Sequence, residues 1–219
     1  MDEAELNSMN ERLIGSLIAR GFLRTPTIIE AFRRYPRHNF VPRGEFDSAY
    51  LDMAIKTVGF STISQPSVIA SILEELSPQE GEKVLEVGTG SGWQSALISH
   101  CVGESGRLIT MEINREVFEF ARKNLAKFSI RNIKMLNASG MEGYPNGAPY
   151  DKIVFAAATQ TLPDNALKQL KKNGKLIAPI GSVDVQRITV VTKNGLGEYD
   201  TRYTDTVVFV PLTGGGDSD

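Results

Sequence analysis

Cysteine, histidine and tryptophan are scarce in this sequence, which has one cysteine, Cys101, two histidines, His38 and His100, and one tryptophan, Trp93. A single cysteine excludes any intramolecular disulfide and fits a reducing compartment. Two histidines far apart in the chain cannot supply a histidine-rich metal site, so no metal is expected. An excess of one charge is lacking too. Lys and Arg number 24 against 26 Asp and Glu, a formal net charge of -2, which leaves no positive field to hold a phosphate backbone and excludes a nucleic-acid partner from the expectation. No run approaches the roughly 20 apolar residues that span a bilayer. Met1 is followed by Asp2, Glu3 and Glu5 rather than by a basic stretch and an apolar run, so the expected location is the cytoplasm, with no membrane partner. The 219 residues, 41% of them hydrophobic and 23% charged, suffice for one sizeable core.

Apolar residues at helical spacing predict helices over residues 3–19, closed by Gly21, and 26–35, opened by Pro26 and ended by Pro36. Residues 36–65 have no clear period and read as a long functional connection. From residue 66 the pattern becomes regular: helix 66–76, strand 83–87, helix 91–101, strand 107–111, helix 114–128 capped by Asn114, strands 133–136 and 152–156, helix 163–170, and a strand through Leu176 and Ile177. Alternating strands and helices predict an α/β, doubly wound, mostly parallel sheet. Two β-rich stretches, 187–192 and 206–210, predict a closing antiparallel pair. The expected organisation is a helical extension with a substrate-side loop over 1–65, a ligand-binding core over 66–213, and a disordered tail over 214–219.

The strongest local signal is the strand Val84-Leu85-Glu86-Val87 running into Gly88-Thr89-Gly90-Ser91-Gly92 and then a helix. Such a turn admits positive φ and close approach of a ligand, and the helix start aims N–H groups at it. The glycine spacing is not the dinucleotide fingerprint, and no Gly-Lys-Ser or Gly-Lys-Thr of a P-loop follows. Glu112 ends the second strand, where a carboxylate can accept from ribose hydroxyls. A nucleoside without a diphosphate is implied.

These residues resemble the class I S-adenosylmethionine-dependent methyltransferases, with their Rossmann-like fold. Four further segments narrow the likeness: Thr62-Ile63-Ser64-Gln65-Pro66; Ala148-Pro149-Tyr150-Asp151; Gln169-Leu170 with Asn173-Gly174, Pro179 and Gly181; and Phe209-Val210-Pro211-Leu212-Thr213. In this order, from about residue 6 to residue 213, the chain is similar to the protein-L-isoaspartate (D-aspartate) O-methyltransferases. The resemblance implies transfer of a methyl group from S-adenosyl-L-methionine to the α-carboxylate of isoaspartyl residues in damaged peptides or proteins, with S-adenosyl-L-homocysteine as product and a succinimide formed afterwards. It implies a cofactor site of Thr62, Ile63, Ser64, Glu86, Gly88, Thr89, Gly90, Ser91, Gly92, Trp93, Glu112, Ile113, Ser139, Gly140 and Thr213. Glu86 and the turn would hold the methionine portion, and Glu112 the ribose. Ser61, Ser64, Pro66, Val210, Leu212 and Thr213 would meet the substrate.

A carboxylate is ionised at neutral pH, so methyl transfer to it needs no general base. The missing Ser-His-Asp or Cys-His set is therefore consistent with that activity, and catalysis rests on alignment and exclusion of water. Ser64 is the expected catalytic residue, orienting the substrate carboxylate, against the simpler role of capping the helix at Pro66. The segment 40–65 is expected to close over the peptide.

The chain departs from the family in carrying Gln65-Pro66-Ser67 for Ala-Pro-His, and Asn137-Ala138-Ser139-Gly140 where Gly-Asp-Gly is usual. That Asp accepts from the adenine amino group, so Ser139 predicts cofactor binding weaker by roughly 1.5 to 3 kcal/mol. Trp93, where tyrosine is common, reads equally as ring area beside the cofactor or as a half-buried helix residue. Cys101 reads as a buried apolar residue, the two histidines as structural or exposed, and Lys171, Lys172 and Lys175 as a solvated loop that could draw an acidic substrate. A methyltransferase dedicated to one Asp or isoAsp peptide partner, and a catalytically impaired cofactor-binding homologue, stay open. A transfer-RNA adenine methyltransferase would need a basic face that the composition lacks. A monomer is the expectation.

Overall fold

Asp2 caps the first helix through Oδ1, which accepts from Glu5 N at 2.8 Å, and α1 (Glu3–Ala19) buries Leu6, Leu13, Ile14 and Leu17 along one stripe. The computed structural model describes residues 2–213; the expected tail at 214–219 lies outside them. Helix α2 (Pro26–Arg34) follows. Two 3-10 turns, Arg37–Phe40 and Arg43–Ser48, lead into a hairpin of β1 (Ile55–Lys56) and β2 (Thr62–Ile63). Then come α3 (Pro66–Leu76), β3 (Lys83–Val87), α4 (Trp93–Val102), β4 (Arg107–Glu112), α5 (Arg115–Leu125), β5 (Ile133–Asn137), β6 (Tyr150–Phe155), α6 (Asp164–Leu167), β7 (Leu170–Gly181), β8 (Gln186–Lys193) and β9 (Tyr199–Val207).

The seven-stranded sheet has the order β5-β4-β3-β6-β7-β8-β9. It is parallel from β5 to β7 and antiparallel across β7–β8 and β8–β9, as the alternation of elements predicted. The chain runs outward through β3, β4 and β5 and returns to the other side of β3 with β6, so the crevice beyond the carboxyl ends of β3 and β6 is a topological switch point. One apolar cluster joins α1 and α2 to α3, α4 and the sheet face they cover; a second fills the opposite face. No helix among the described residues is long and apolar enough to cross a membrane.

Several expected boundaries move by a residue or more, and four of the shifts have a visible cause. Helix α4 begins at Trp93 rather than at 91, because Gly88, Gly90 and Gly92 all take positive φ, +96°, +55° and +87°, and prolong the turn. Helix α5 stops at Leu125 rather than at 128: Lys127 N and Phe128 N bond back to Asn124 O and Leu125 O at 3.2 and 3.1 Å, a tightened last turn. The helix expected over 163–170 shrinks to α6, since Leu170 pairs with Tyr150 in the sheet. The last strand runs over 199–207, not 206–210. Its register pairs Lys193 with Tyr199 and Gln186 with Val207, and Phe209 leaves the ladder to donate its N–H to Gln186 Oε1 at 2.7 Å.

The segment expected to close over a ligand is anchored through five of its backbone carbonyls. Arg37 has no exposed surface. Its Nη1 donates to Ala49 O at 2.8 Å and Leu51 O at 3.4 Å, and its Nη2 to Met53 O, Ile63 O and Ser64 O at 2.9, 3.3 and 3.0 Å. The hairpin tip projects furthest, with Phe60 96% exposed.

Candidate active site

The glycine turn folds back on β4: Gly88 N and Thr89 N donate to Met111 O at 2.8 and 3.1 Å. Gly90 N donates to Glu112 Oε2 and Asn114 N to Glu112 Oε1, both at 3.0 Å. Asn114 in turn caps α5, accepting from Glu116 N and Val117 N at 2.9 and 3.1 Å. A buried Asn124 on α5 donates to Ser91 O at 3.0 Å and fixes the far side of the turn. Above the turn lies a cavity of about 310 Å³.

The cavity brings together most of the residues expected there. Ser61, Thr62, Ile63 and Ser64 form one wall; Gly88, Thr89, Gly90, Ser91 and Trp93 form the floor; Glu112, Ile113, Gly140, Val210, Leu212 and Thr213 complete it. Also lining it, and not expected, are Phe60, Ile69, Gln94, Asn114, Val117, Ala138, Ala156 and Phe209, among others. A Cβ on Gly90 would stand 3.7 Å from Ser61 Oγ and 3.8 Å from Thr62 O, filling the gap between the turn and the hairpin. A Cβ on Gly140 would stand 2.6 Å from Val87 Cγ1, so that position admits no side chain without a shift.

Four expected site residues do not line it. Pro66 is the first residue of α3 and Gly92 the residue before α4. Ser139 is exposed and accepts from Met141 N at 3.4 Å, while its neighbours Ala138 and Gly140 meet the cavity. An exposed hydrogen bond contributes little net free energy, so Ser139→Asp is expected to change the affinity for S-adenosyl-L-homocysteine by less than about threefold in calorimetry; a tenfold gain would restore the sequence expectation. Glu86 has no exposed surface and lies beneath the turn. It accepts from Gln94 Nε2 at 3.0 Å, from Thr110 Oγ1 at 2.7 Å and from the Ser95 hydroxyl. Burial pushes its carboxyl up to about 7, against hydrogen bonds that favour the charged form.

Ser64 does not cap α3. The residue preceding that helix is Gln65, without a side-chain cap, and Ser67 N donates to Asp52 Oδ1 at 2.9 Å. Burial raises the Asp52 carboxyl, but the bonds from Ser67 and Arg20 outweigh it and hold it below the usual range. The positive end of α3 is thus taken by Asp52. The Ser64 side chain makes no hydrogen bond among the described residues and faces the cavity half-buried.

Trp93 is 2% exposed rather than half-buried. Its Nε1 donates to Tyr35 O at 2.9 Å, and Phe32 meets its ring edge-on at 5.2 Å, so it docks the N-terminal helices beside the turn. Cys101 is buried, and burial pushes its thiol up to about 12. His38 is buried against the Tyr50 hydroxyl, and burial lowers its basicity. Lys171 pairs with Asp151 at 2.7 Å and Lys175 donates to Glu75 O; both sit at the amino ends of the strands, away from the cavity, so they do not draw a ligand into it.

The family model described as protein-L-isoaspartate (D-aspartate) O-methyltransferase matches residues 7–217. The protein-L-isoaspartate O-methyltransferase of Methanopyrus kandleri is 39% identical over 214 residues, 97% of this chain and 95% of that protein. That of Methanospirillum hungatei is 39% identical over 212 residues, 97% of this chain and 96% of the other. A solved protein-L-isoaspartate O-methyltransferase superposes with a TM-score of 0.83 at 28% identity, covering 94% of this chain and 66% of that one. A Plasmodium falciparum structure described as a putative member in complex with S-adenosyl-L-homocysteine has a TM-score of 0.83 at 21% identity, over 93% of this chain and 98% of that one.

Proposed function

The chain belongs to the protein-L-isoaspartate (D-aspartate) O-methyltransferase family, and from that membership we propose that its switch-point cavity binds S-adenosyl-L-methionine and sets the cofactor against the α-carboxylate of an isoaspartyl residue. The residues fit such a group. The positive-φ turn leaves the backbone open to a ligand, and each Glu112 oxygen, with one backbone donor, keeps a lone-pair site for a ribose hydroxyl. When bound, the cofactor supplies an electrophilic sulfonium methyl; a substrate carboxylate oxygen forms the new C–O bond as the S–CH₃ bond breaks, and no proton moves.

Ser64 carries the chemical part of this reading. It stands at the cavity wall with its hydroxyl uncommitted to the helix behind it, placed to donate one hydrogen bond to the substrate carboxylate. Residues 1–65 are proposed as the substrate side and 66–213 as the cofactor side, in a cytoplasmic monomer acting on isoaspartyl peptides without nucleic acid.

The test is methyl transfer from labelled S-adenosyl-L-methionine to two short peptides that differ only in isoaspartate or aspartate at one site. Label is expected on the isoaspartyl peptide, with Ser64→Ala slower by about 10- to 100-fold, the worth of one hydrogen bond to a charged group. Equal rates for Ser64→Ala would remove Ser64 from the reaction. Cofactor binding with neither peptide labelled would instead point to a dedicated partner or to lost catalysis.

A further inference from the structure

A second cavity, of about 470 Å³, adjoins the candidate active site. Pro211 and Leu212 line both. Leu212 N donates to Ala158 O, and Ala158 N to Val210 O, each at 2.8 Å, so the segment shared by the two cavities is pinned to the chain that leaves β6. The second cavity opens, like the first, beyond the carboxyl ends of the strands: Met141 and Glu142 follow β5, residues 158–165 follow β6 and enter α6, and Gly181 ends β7.

Its walls are of two kinds. Met141, Leu162, Val183 and Leu212 give it an apolar side, with Met141 42% and Val183 64% exposed. Two carboxylates, Glu142 and Asp164, line it as well, and no lysine, arginine or histidine does. Neither carboxylate is in an ion pair among the described residues. Glu142 Oε2 accepts from Asn165 Nδ2, and Lys168, one turn after Asp164, donates to Asn165 Oδ1 at 3.4 Å rather than to either acid. A groove of this make-up suits a long cationic side chain, whose methylene stem covers apolar surface while its head meets carboxylates. An acidic group is repelled from it; the chain's own last residues, with Asp217 and Asp219, have the wrong sign.

We propose that this groove receives a lysine or arginine side chain of the substrate peptide, from a residue near the isoaspartate, with Glu142 and Asp164 as the specificity-determining residues. The inference rests on the adjoining cavity being the place of methyl transfer. A peptide held there has only the Pro211–Leu212 segment between its reacting carboxylate and the groove. Isoaspartyl sites with a cationic neighbour are then the preferred ones.

The experiment measures kcat/KM of methyl transfer to isoaspartyl peptides that differ in one residue, set to lysine, norleucine, alanine or glutamate at each neighbouring position in turn. At one position the wild type is expected to favour lysine over norleucine by about fivefold, the worth of a partly solvated ion pair, and norleucine over alanine by about threefold through burial of its stem. Glutamate should be poorest. The double variant Glu142→Gln, Asp164→Asn should lose the lysine preference while keeping the norleucine rate, which also reports that it is folded. No lysine preference at any position, its survival in the double variant, or a parallel fall for lysine and norleucine would overturn the proposal. Equal rates for norleucine and alanine would overturn it too, since the charge would then act from outside the groove. If no isoaspartyl peptide is methylated at all, the function proposed above fails and this assignment with it.

Discussion

Arg37→Met is expected to lower the unfolding free energy by about 3–5 kcal/mol, the range for removing one partner of a buried charged network. Arg37 is fully buried, and its guanidinium meets five backbone carbonyls between residues 49 and 64. Methionine replaces the apolar stem but none of the donors, so those carbonyls lose their partners or pull away to water. For a chain of this size the melting temperature should fall by roughly 10 °C. Burial draws the Arg37 pKa down to about 10, with Asp52 and Tyr50 opposing, so the side chain stays charged at neutral pH. Arg37→Lys should recover only part of the loss, because three donors on one nitrogen cannot span what a planar fork spans. Since Ser64 O is one of the five acceptors, methyl transfer in Arg37→Met should drop below what the unfolded fraction explains. Thermal unfolding within about 1 kcal/mol of wild type, or undiminished turnover of the folded protein, would show that the segment is held by other means.

The same residue shows where sequence reasoning stops. Glycines that need positive φ, a cap such as Asn114 and apolar stripes on helices are local signals, and from them the alternation of strands and helices, the turn and the place of Glu112 could be read, but not the order of strands in the sheet. Arg37 carries no such signal: an arginine is exposed by default, and its five acceptors lie 12 to 27 residues away. Asn124 was half legible, as a polar residue on the apolar stripe of Val117, Ala121 and Leu125, all buried. Boundaries failed where pairing with a distant strand outweighed local propensity, as at Leu170, or where a side chain far along the chain took the backbone, as Gln186 does with Phe209. Glu86 lies beneath the turn and not on the cavity wall with most of the residues expected there. Sequence places it at the strand end, and only packing decides that its carboxylate points inward.

That inward carboxylate makes stability depend on pH with an unusual sign. Burial raises Glu86 to about 7 from an ordinary value of 4.5, whereas the unfolded chain titrates it near the ordinary value. Between the two, the unfolded state has released the proton and the folded state keeps it, so the Glu86 contribution to stability is full below the unfolded pKa and is lost as pH rises to the folded one. A shift of this size corresponds to about 3 kcal/mol at about 1.4 kcal/mol per unit. Asp52, Glu74 and Asp151 have lowered values and act in the opposite direction at lower pH, so the contribution is read from the difference between wild type and Glu86→Gln in denaturant unfolding from pH 5 to pH 8. Glutamine offers one acceptor oxygen to Ser95, Thr110 and Gln94, so the variant should be the weaker protein at pH 5. It has no charge to bury, and it should equal or exceed the wild type by pH 8. Two curves that cross in this window are expected; parallel curves would mean that Glu86 is ionised in the folded protein throughout, its three donors outweighing its burial.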